Sequence, residues 1–217
     1  MKRTLLPILI SVFLLTSNMS GAFAQQKVRL PQEYEEVKTG FFTRVLVGIG
    51  QGNVTFKNAD NDRELFEFTG YTIPLGVQFG SRITKNLGIY GNLKGYLFPK
   101  PEMVNYTTYS ISADEVVIST FGGGLAFYFG KGNSYFFPAV LYSFTSSQTG
   151  SESGMTKGGL GLDLTLGSDK YISEKMAFGF AFVLHISSMT DQKSTQFGEP
   201  KVSNIFYGFE MSLKFGK

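Results

Sequence analysis

Residues 204–216 read NIFYGFEMSLKFG. Ile205, Tyr207, Phe209, Met211, Leu213 and Phe215 fall on one side of a period of two, and Asn204, Gly208, Glu210, Ser212 and Lys214 on the other. Side chains of a strand alternate between faces, so this segment reads as a strand with one bulky apolar face and one small or polar face. Residues 176–187, MAFGFAFVLHIS, repeat the pattern: Phe178, Phe180, Phe182, Leu184 and Ile186 oppose Gly179, Ala181, Val183 and His185.

The same alternation runs back along the chain. In GFFTRVLVGIG (40–50), Phe41, Val45, Val47 and Ile49 oppose Arg44, Leu46, Gly48 and Gly50. GYTIPLGVQFG (70–80), LGIYGNLKGYLF (87–98), TFGGGLAFYFG (120–130) and GGLGLDLTLG (158–167) behave alike, and YFFPAVLYSFTS (135–146) is strand-like with two apolar faces. That makes eight segments of about ten residues, the length a tilted membrane strand needs. The connections SRITKN, KGNS and SDKYISEK are short and polar, whereas those near 53–68, 99–116, 147–157 and 188–202 are long. Short turns at one end and long loops at the other predict an all-β, eight-stranded antiparallel up-and-down transmembrane barrel, with short periplasmic turns and longer extracellular loops.

The small, polar face cannot close-pack into a hydrophobic core, but it suits a narrow lumen. The large face then needs an apolar solvent, and in lipid only a closed sheet pairs every backbone group of its strands. A soluble lipocalin-like binder, with the Phe-rich faces turned inward, is the competing architecture.

The chain has 217 residues with 26 Gly, 22 Phe, one His and no Cys. Disulfides, thiolate metal sites and His clusters are thereby excluded, and no cofactor or metal site is expected. Lys2 and Arg3, the apolar run Leu5 to Leu15 and Ala22-Phe23-Ala24 have the layout of a secretory signal peptide, cleaved after Ala24. The competing reading is an uncleaved anchor. The expected organisation is a signal peptide (1–24), a polar periplasmic leader (25–39) and a barrel (40–217). Beyond the signal, 18 basic residues face 17 acidic ones (20 less Lys2 and Arg3), which gives no reason to expect nucleic acid.

The openers GFFTRVLVGIGQG (40–52), GYTIPLGVQFGSRITKNLGIYGNL (70–93) and GGGLAFYFG (122–130), with the aromatic terminal strand, resemble the small eight-stranded outer-membrane β-barrel proteins of the OmpX/OmpA-barrel type. The resemblance implies a monomer of the bacterial outer membrane, with lipopolysaccharide and other outer-membrane lipids around it and a surface ligand at its loops. It also implies a terminal strand read by the barrel-assembly machinery, onto which Gly208, Met211, Leu213 and Phe215 fit.

The lumen face carries Arg44, Lys94, Asp163, Glu210 and Lys214. Isolated buried charges cost several kcal/mol, so these are expected to pair, Arg44 with Glu210 on the adjoining first and last strands, and to plug the barrel. A structural or surface-interaction role without catalysis follows. Two alternatives remain. One is a narrow solute channel. The other rests on His185, Ser187 and Glu199, whose order and spacing are similar to those of outer-membrane lipid A deacylases. That resemblance implies Ser187 as nucleophile, His185 as base and Glu199 as its orienter. Asp60, Asp62 and Glu64 read as a solvated loop run rather than a cation site, and Tyr135, Phe136, Phe137 and Tyr171 as an interfacial aromatic girdle.

Overall fold

The computed structural model describes residues 39–105, 113–130, 133–149, 152–191 and 199–216. The expected signal peptide and all of the leader except Thr39 lie outside them. The strands are β1 (Gly40–Lys57), β2 (Glu64–Arg82), β3 (Leu87–Pro99), β4 (Glu102–Asn105), β5 (Glu115–Phe129), β6 (Ser134–Thr149), β7 (Glu152–Met155), β8 (Gly158–Ser173), β9 (Met176–Thr190) and β10 (Lys201–Gly216). All pairings are antiparallel, and β1 pairs with both β2 and β10, which closes the sheet. Eight strands form the barrel. The short β4 and β7 continue β3 and β8 after one-residue slips. Against β2, Ile73↔Leu97 becomes Thr69↔Glu102 across the Pro99-Lys100-Pro101 kink, where Lys100 has φ 50°. Against β6, Ser143↔Gly159 becomes Ser146↔Met155.

The alternation places the side chains as the sequence indicates through the lower wall. Val77 (38% exposed), Leu162 (41%) and Phe180 (46%) face outward, while Arg44, Lys94, Asp163, Glu210 and Lys214 are buried inside. On β10 the outward apolar series runs from Ile205 to Phe215. Those ten steps rise roughly 33 Å along the strand and about 25 Å along the axis of a tilted barrel, the height of a lipid-facing band.

Above that band the wall continues, which corrects the expected loops. β1 runs to Lys57 and β2 begins at Glu64, so the first connection is 58–63 and not 53–68. β9 and β10 likewise extend to Thr190 and from Lys201, and β4 and β7 occupy part of the other two connections. In this upper part the pattern inverts. Gln51, Asn53 and Thr55 stand on the outward parity of β1, whereas Val54 and Phe56 are buried inside. Val54, Phe56, Phe68, Phe98, Val116, Ile118, Met189, Val202 and Phe206 form one apolar cluster with Tyr96 and Val183. Water, rather than lipid, is the solvent such a wall is built for: polar outside, apolar inside.

The lumen is therefore not uniformly small. A second cluster, including Phe42, Tyr90, Tyr128, Tyr135, Phe137 and Leu141, fills the short-turn end. Tyr135 and Phe137 belong to it and not to an outer girdle; of that stretch Phe136 faces outward, and Tyr171 sits partly exposed at the rim. Outward tyrosines stand instead at the upper edge of the apolar band: Tyr71, Tyr142 and Tyr207. Glycine makes room for the rings. A Cβ on Gly50 would come 2.6 Å from the Phe206 ring, and one on Gly208 2.8 Å from it.

Candidate functional site

Between the two apolar clusters lies a polar layer centred on Asp163 of β8. The run Gly161, Asp163, Thr165, Gly167, Asp169 occupies one face, so every second residue of β8 points into the lumen. Asp163 accepts hydrogen bonds from Lys94 Nζ (3.0 Å) and Asn92 Nδ2 (3.2 Å) on Oδ2, and from Tyr96 OH (2.9 Å) on Oδ1. His185, its cross-strand partner on β9, directs Nδ1 at the same Oδ1 from 2.9 Å. Lys94 also reaches Glu210 at 2.8 Å. The side chains of Lys94, Asp163, His185 and Glu210 are at most 1% exposed. Two carboxylates thus hold one ammonium, and four donors surround Asp163. This is the dense satisfaction that a buried charge needs.

A second ionic group lies toward the short-turn end. Arg44 Nη2 donates to Asp169 Oδ2 at 2.7 Å, and Lys214 Nζ stands 3.6 Å from the same oxygen. The Arg44 guanidinium lies 4.3 Å above the centre of the Tyr135 ring, a cation–π contact inside the lumen. The expected Arg44–Glu210 pairing is not formed. Although their strands adjoin, Glu210 is level with Gly48, four residues beyond Arg44, and it turns to Lys94. Asp169 belongs by sequence to the turn SDKYISEK, but β8 continues to Ser173 and carries it inside. Its signal was available: Asp169 continues the inward parity of Gly161, Asp163, Thr165 and Gly167.

The structure separates the three residues of the hydrolase alternative. Glu199 lies on the outer connection and pairs with Lys157 at 2.9 Å, both about half exposed. His185 and Ser187 are buried in the lumen, and the group that orients His185 is Asp163. Ser143, His185 and Ser187 crowd around Gly161: a Cβ there would lie 2.6 Å from Ser143 Oγ and 3.1 Å from His185 Cε1. His185 Nε2 makes no hydrogen bond to either serine. An Asp–His pair is therefore present, but His185 is not engaged with a nucleophile and it lies under the apolar cluster.

Two of the three loop carboxylates are paired as surface ions. Asp62 bonds Lys201 at 2.7 Å, and Glu64 lies 3.5 Å from Lys57. The hydrogen bond and charge of Lys201 hold the Asp62 carboxyl below its ordinary range. Among the described residues no group of three His, Asp or Glu side chains is placed to hold a metal ion. On β10, Met211, Leu213 and Phe215 face outward and Gly208 faces the lumen against Gly50.

No protein-family model and no curated protein sequence matches the chain. Solved structures do. The outer membrane protein AlkL, determined by solid-state NMR in lipid bilayers, aligns with a TM-score of 0.51 at 10% identity, over 87% of this chain and 96% of its own. Neisserial surface protein A aligns with a TM-score of 0.45 at 11% identity, over 79% and 96% of the two chains. OprG from Pseudomonas aeruginosa gives 0.43 at 12%, over 84% and 99%. What the chain shares with AlkL at this identity is its fold, the closed eight-stranded antiparallel barrel.

Proposed function

We propose that the chain is an integral, monomeric protein of the bacterial outer membrane whose plugged barrel carries a rigid extramembrane rim, and whose role is structural or surface-interactive rather than catalytic. The inversion of solvent preference along β1, β2 and β10 supports this reading. Outward residues are apolar for about 25 Å and then polar, while the lumen changes from ionic to apolar at the same level. Lipid surrounds the lower wall, with lipopolysaccharide at the level of Tyr71, Tyr142 and Tyr207. The upper wall and its connections meet the surface ligand. Met211, Leu213 and Phe215, in outward alternation at the terminus, serve the assembly machinery. The export signal ends at Ala24. The His185, Ser187 and Glu199 alternative loses its support, because Glu199 pairs with Lys157 on the outer connection while His185 turns to Asp163 in the lumen.

Two measurements test this reading. Phe180 stacks on Phe209 on the outer face, with ring centres 5.4 Å apart. Phe180→Arg is expected to destabilise the barrel in bilayers by about 2–4 kcal/mol, as a guanidinium does in mid-membrane. A neutral outcome in lipid would place this face elsewhere. In planar bilayers the wild type is expected to give no steps of porin size, because Arg44, Gln78, Tyr96, Phe98, Phe137 and Phe206 fill the lumen at under 2% exposure. Stable large conductance would restore the channel alternative.

A further inference from the structure

We propose that the short-turn mouth of the barrel is a binding site for a phosphate-type oxyanion, held between Arg44 and Lys214. These two cations are direct cross-strand partners on β1 and β10. Like charges placed opposite each other in a sheet repel, and more so away from water. They share a single carboxylate oxygen, Asp169 Oδ2, at 2.7 Å and 3.6 Å, with side-chain exposures of 1% and 5%. One negative charge thus serves two buried positive ones. Arg82 brings a third cation to the same mouth, 3.8 Å above the Tyr128 ring and donating to the Lys85 carbonyl.

Hydrogen-bonding capacity around the pair points the same way. Arg44 Nε, Tyr128 OH and Ser212 Oγ are buried and have no partner among the described residues; of the acceptors beside them Asp169 Oδ1 is also unpartnered, one oxygen against three donors. Ser212 and Asp169 both border Gly179, where a Cβ would lie 2.6 Å from Asp169 Oδ1. Buried donors normally find acceptors. A tetrahedral oxyanion supplies several acceptor oxygens and the missing negative charge together, and a guanidinium with an ammonium is the donor set suited to it. Lys214 is the member nearest the rim: its Nζ lies 3.3 Å from the hydroxyl of Tyr171, which is 36% exposed there, so the pair faces the short-turn side.

The test uses the full chain folded in zwitterionic detergent, with the thermal midpoint read by heat-modifiable gel mobility and binding read by phosphorus NMR of inorganic phosphate. Phosphate is expected to raise the midpoint saturably over sodium chloride of equal ionic strength. Lys214→Gln is expected to weaken the apparent affinity by about tenfold or more, and Asp169→Asn to tighten it about tenfold by removing the competing carboxylate. If Asp169→Asn does not fold, the Lys214→Gln titration decides alone. Nanodiscs separate the two sources of phosphate. A midpoint already raised by phosphatidylglycerol, and insensitive to added phosphate, assigns the site to a lipid headgroup. A response to phosphate that is equal in phosphatidylglycerol and phosphatidylcholine assigns it to the free anion. Equal midpoints in phosphate and chloride together with equal midpoints in the two lipids overturn the proposal, as does a full phosphate response in Lys214→Gln.

Discussion

Asp163→Ala is expected to cost the barrel about 3–5 kcal/mol, read as a large fall in the urea or thermal midpoint of the folded form in detergent or bilayers. The size follows from what the carboxylate does. It accepts from Lys94, Asn92, Tyr96 and His185 at once, and all four donors are buried in the lumen between the two apolar clusters, so losing their acceptor leaves them stranded away from water. Removing it strips Lys94 of one of its two counterions and leaves Tyr96 OH and His185 Nδ1 without an acceptor. The loss is therefore the desolvation of stranded donors rather than the worth of one ion pair. A companion variant distinguishes these. Lys94→Met combined with Asp163→Asn and Glu210→Gln removes the charges together, and is expected to recover a substantial part of the loss because no ion remains unpaired. If the triple variant is less stable than Asp163→Ala, the layer contributes net attraction and not mutual compensation.

How much of this was readable beforehand depends on which solvent faces each wall. In the lower wall, lipid outside demands bulk and the lumen accepts small or polar groups. Phe178, Phe180, Phe182 and Leu184 could therefore be placed from parity alone, and so could Arg44, Lys94, Asp163 and Glu210. The upper wall defeated the same rule for a definite reason. In β1 the outward apolar residues are the odd-numbered Phe41, Val45, Val47 and Ile49, whereas beyond them the bulky residues Val54 and Phe56 are even-numbered and buried. In β2, Phe66 and Phe68 precede Tyr71 and Ile73 with the same change of parity. A strand that leaves lipid for water keeps its geometry but exchanges the faces on which bulk is useful, and the exchange looks like the end of alternation. Parity alone therefore makes those stretches look like loops. β6 was opaque for a related reason: Phe136 and Val140 face outward while Tyr135, Phe137 and Leu141 fill the lumen, so neither face is small. The ionic partners were the least legible part. Parity assigns a charge to a face, but the level at which it meets another depends on stagger. That stagger set Glu210 against Lys94 from β3 and gave Arg44 to Asp169 of β8.

Phe206→Ala is expected to cost about 3–5 kcal/mol, as deletion of a fully buried ring does. Phe206 is unexposed, lies 4.8 Å from the Tyr96 ring centre and occupies the space left by Gly50 and Gly208. No neighbouring backbone can collapse into the cavity without breaking the β1–β10 register. Tyr96, which bonds Asp163, would lose the ring that fixes its orientation, so the variant also loosens the polar layer below. The comparison that gives this prediction its force is Phe209→Ala, three residues along the same strand. Phe209 faces outward at 37% exposure, where acyl chains replace the lost contacts and little solvent transfer is at stake. The two deletions remove the same atoms from one strand, and in lipid the inner one is expected to be several-fold more costly. Equal costs for the two would mean that the upper lumen is not a packed core. The inversion of phase that divides a lipid-facing wall from a water-facing one would then lose its physical basis.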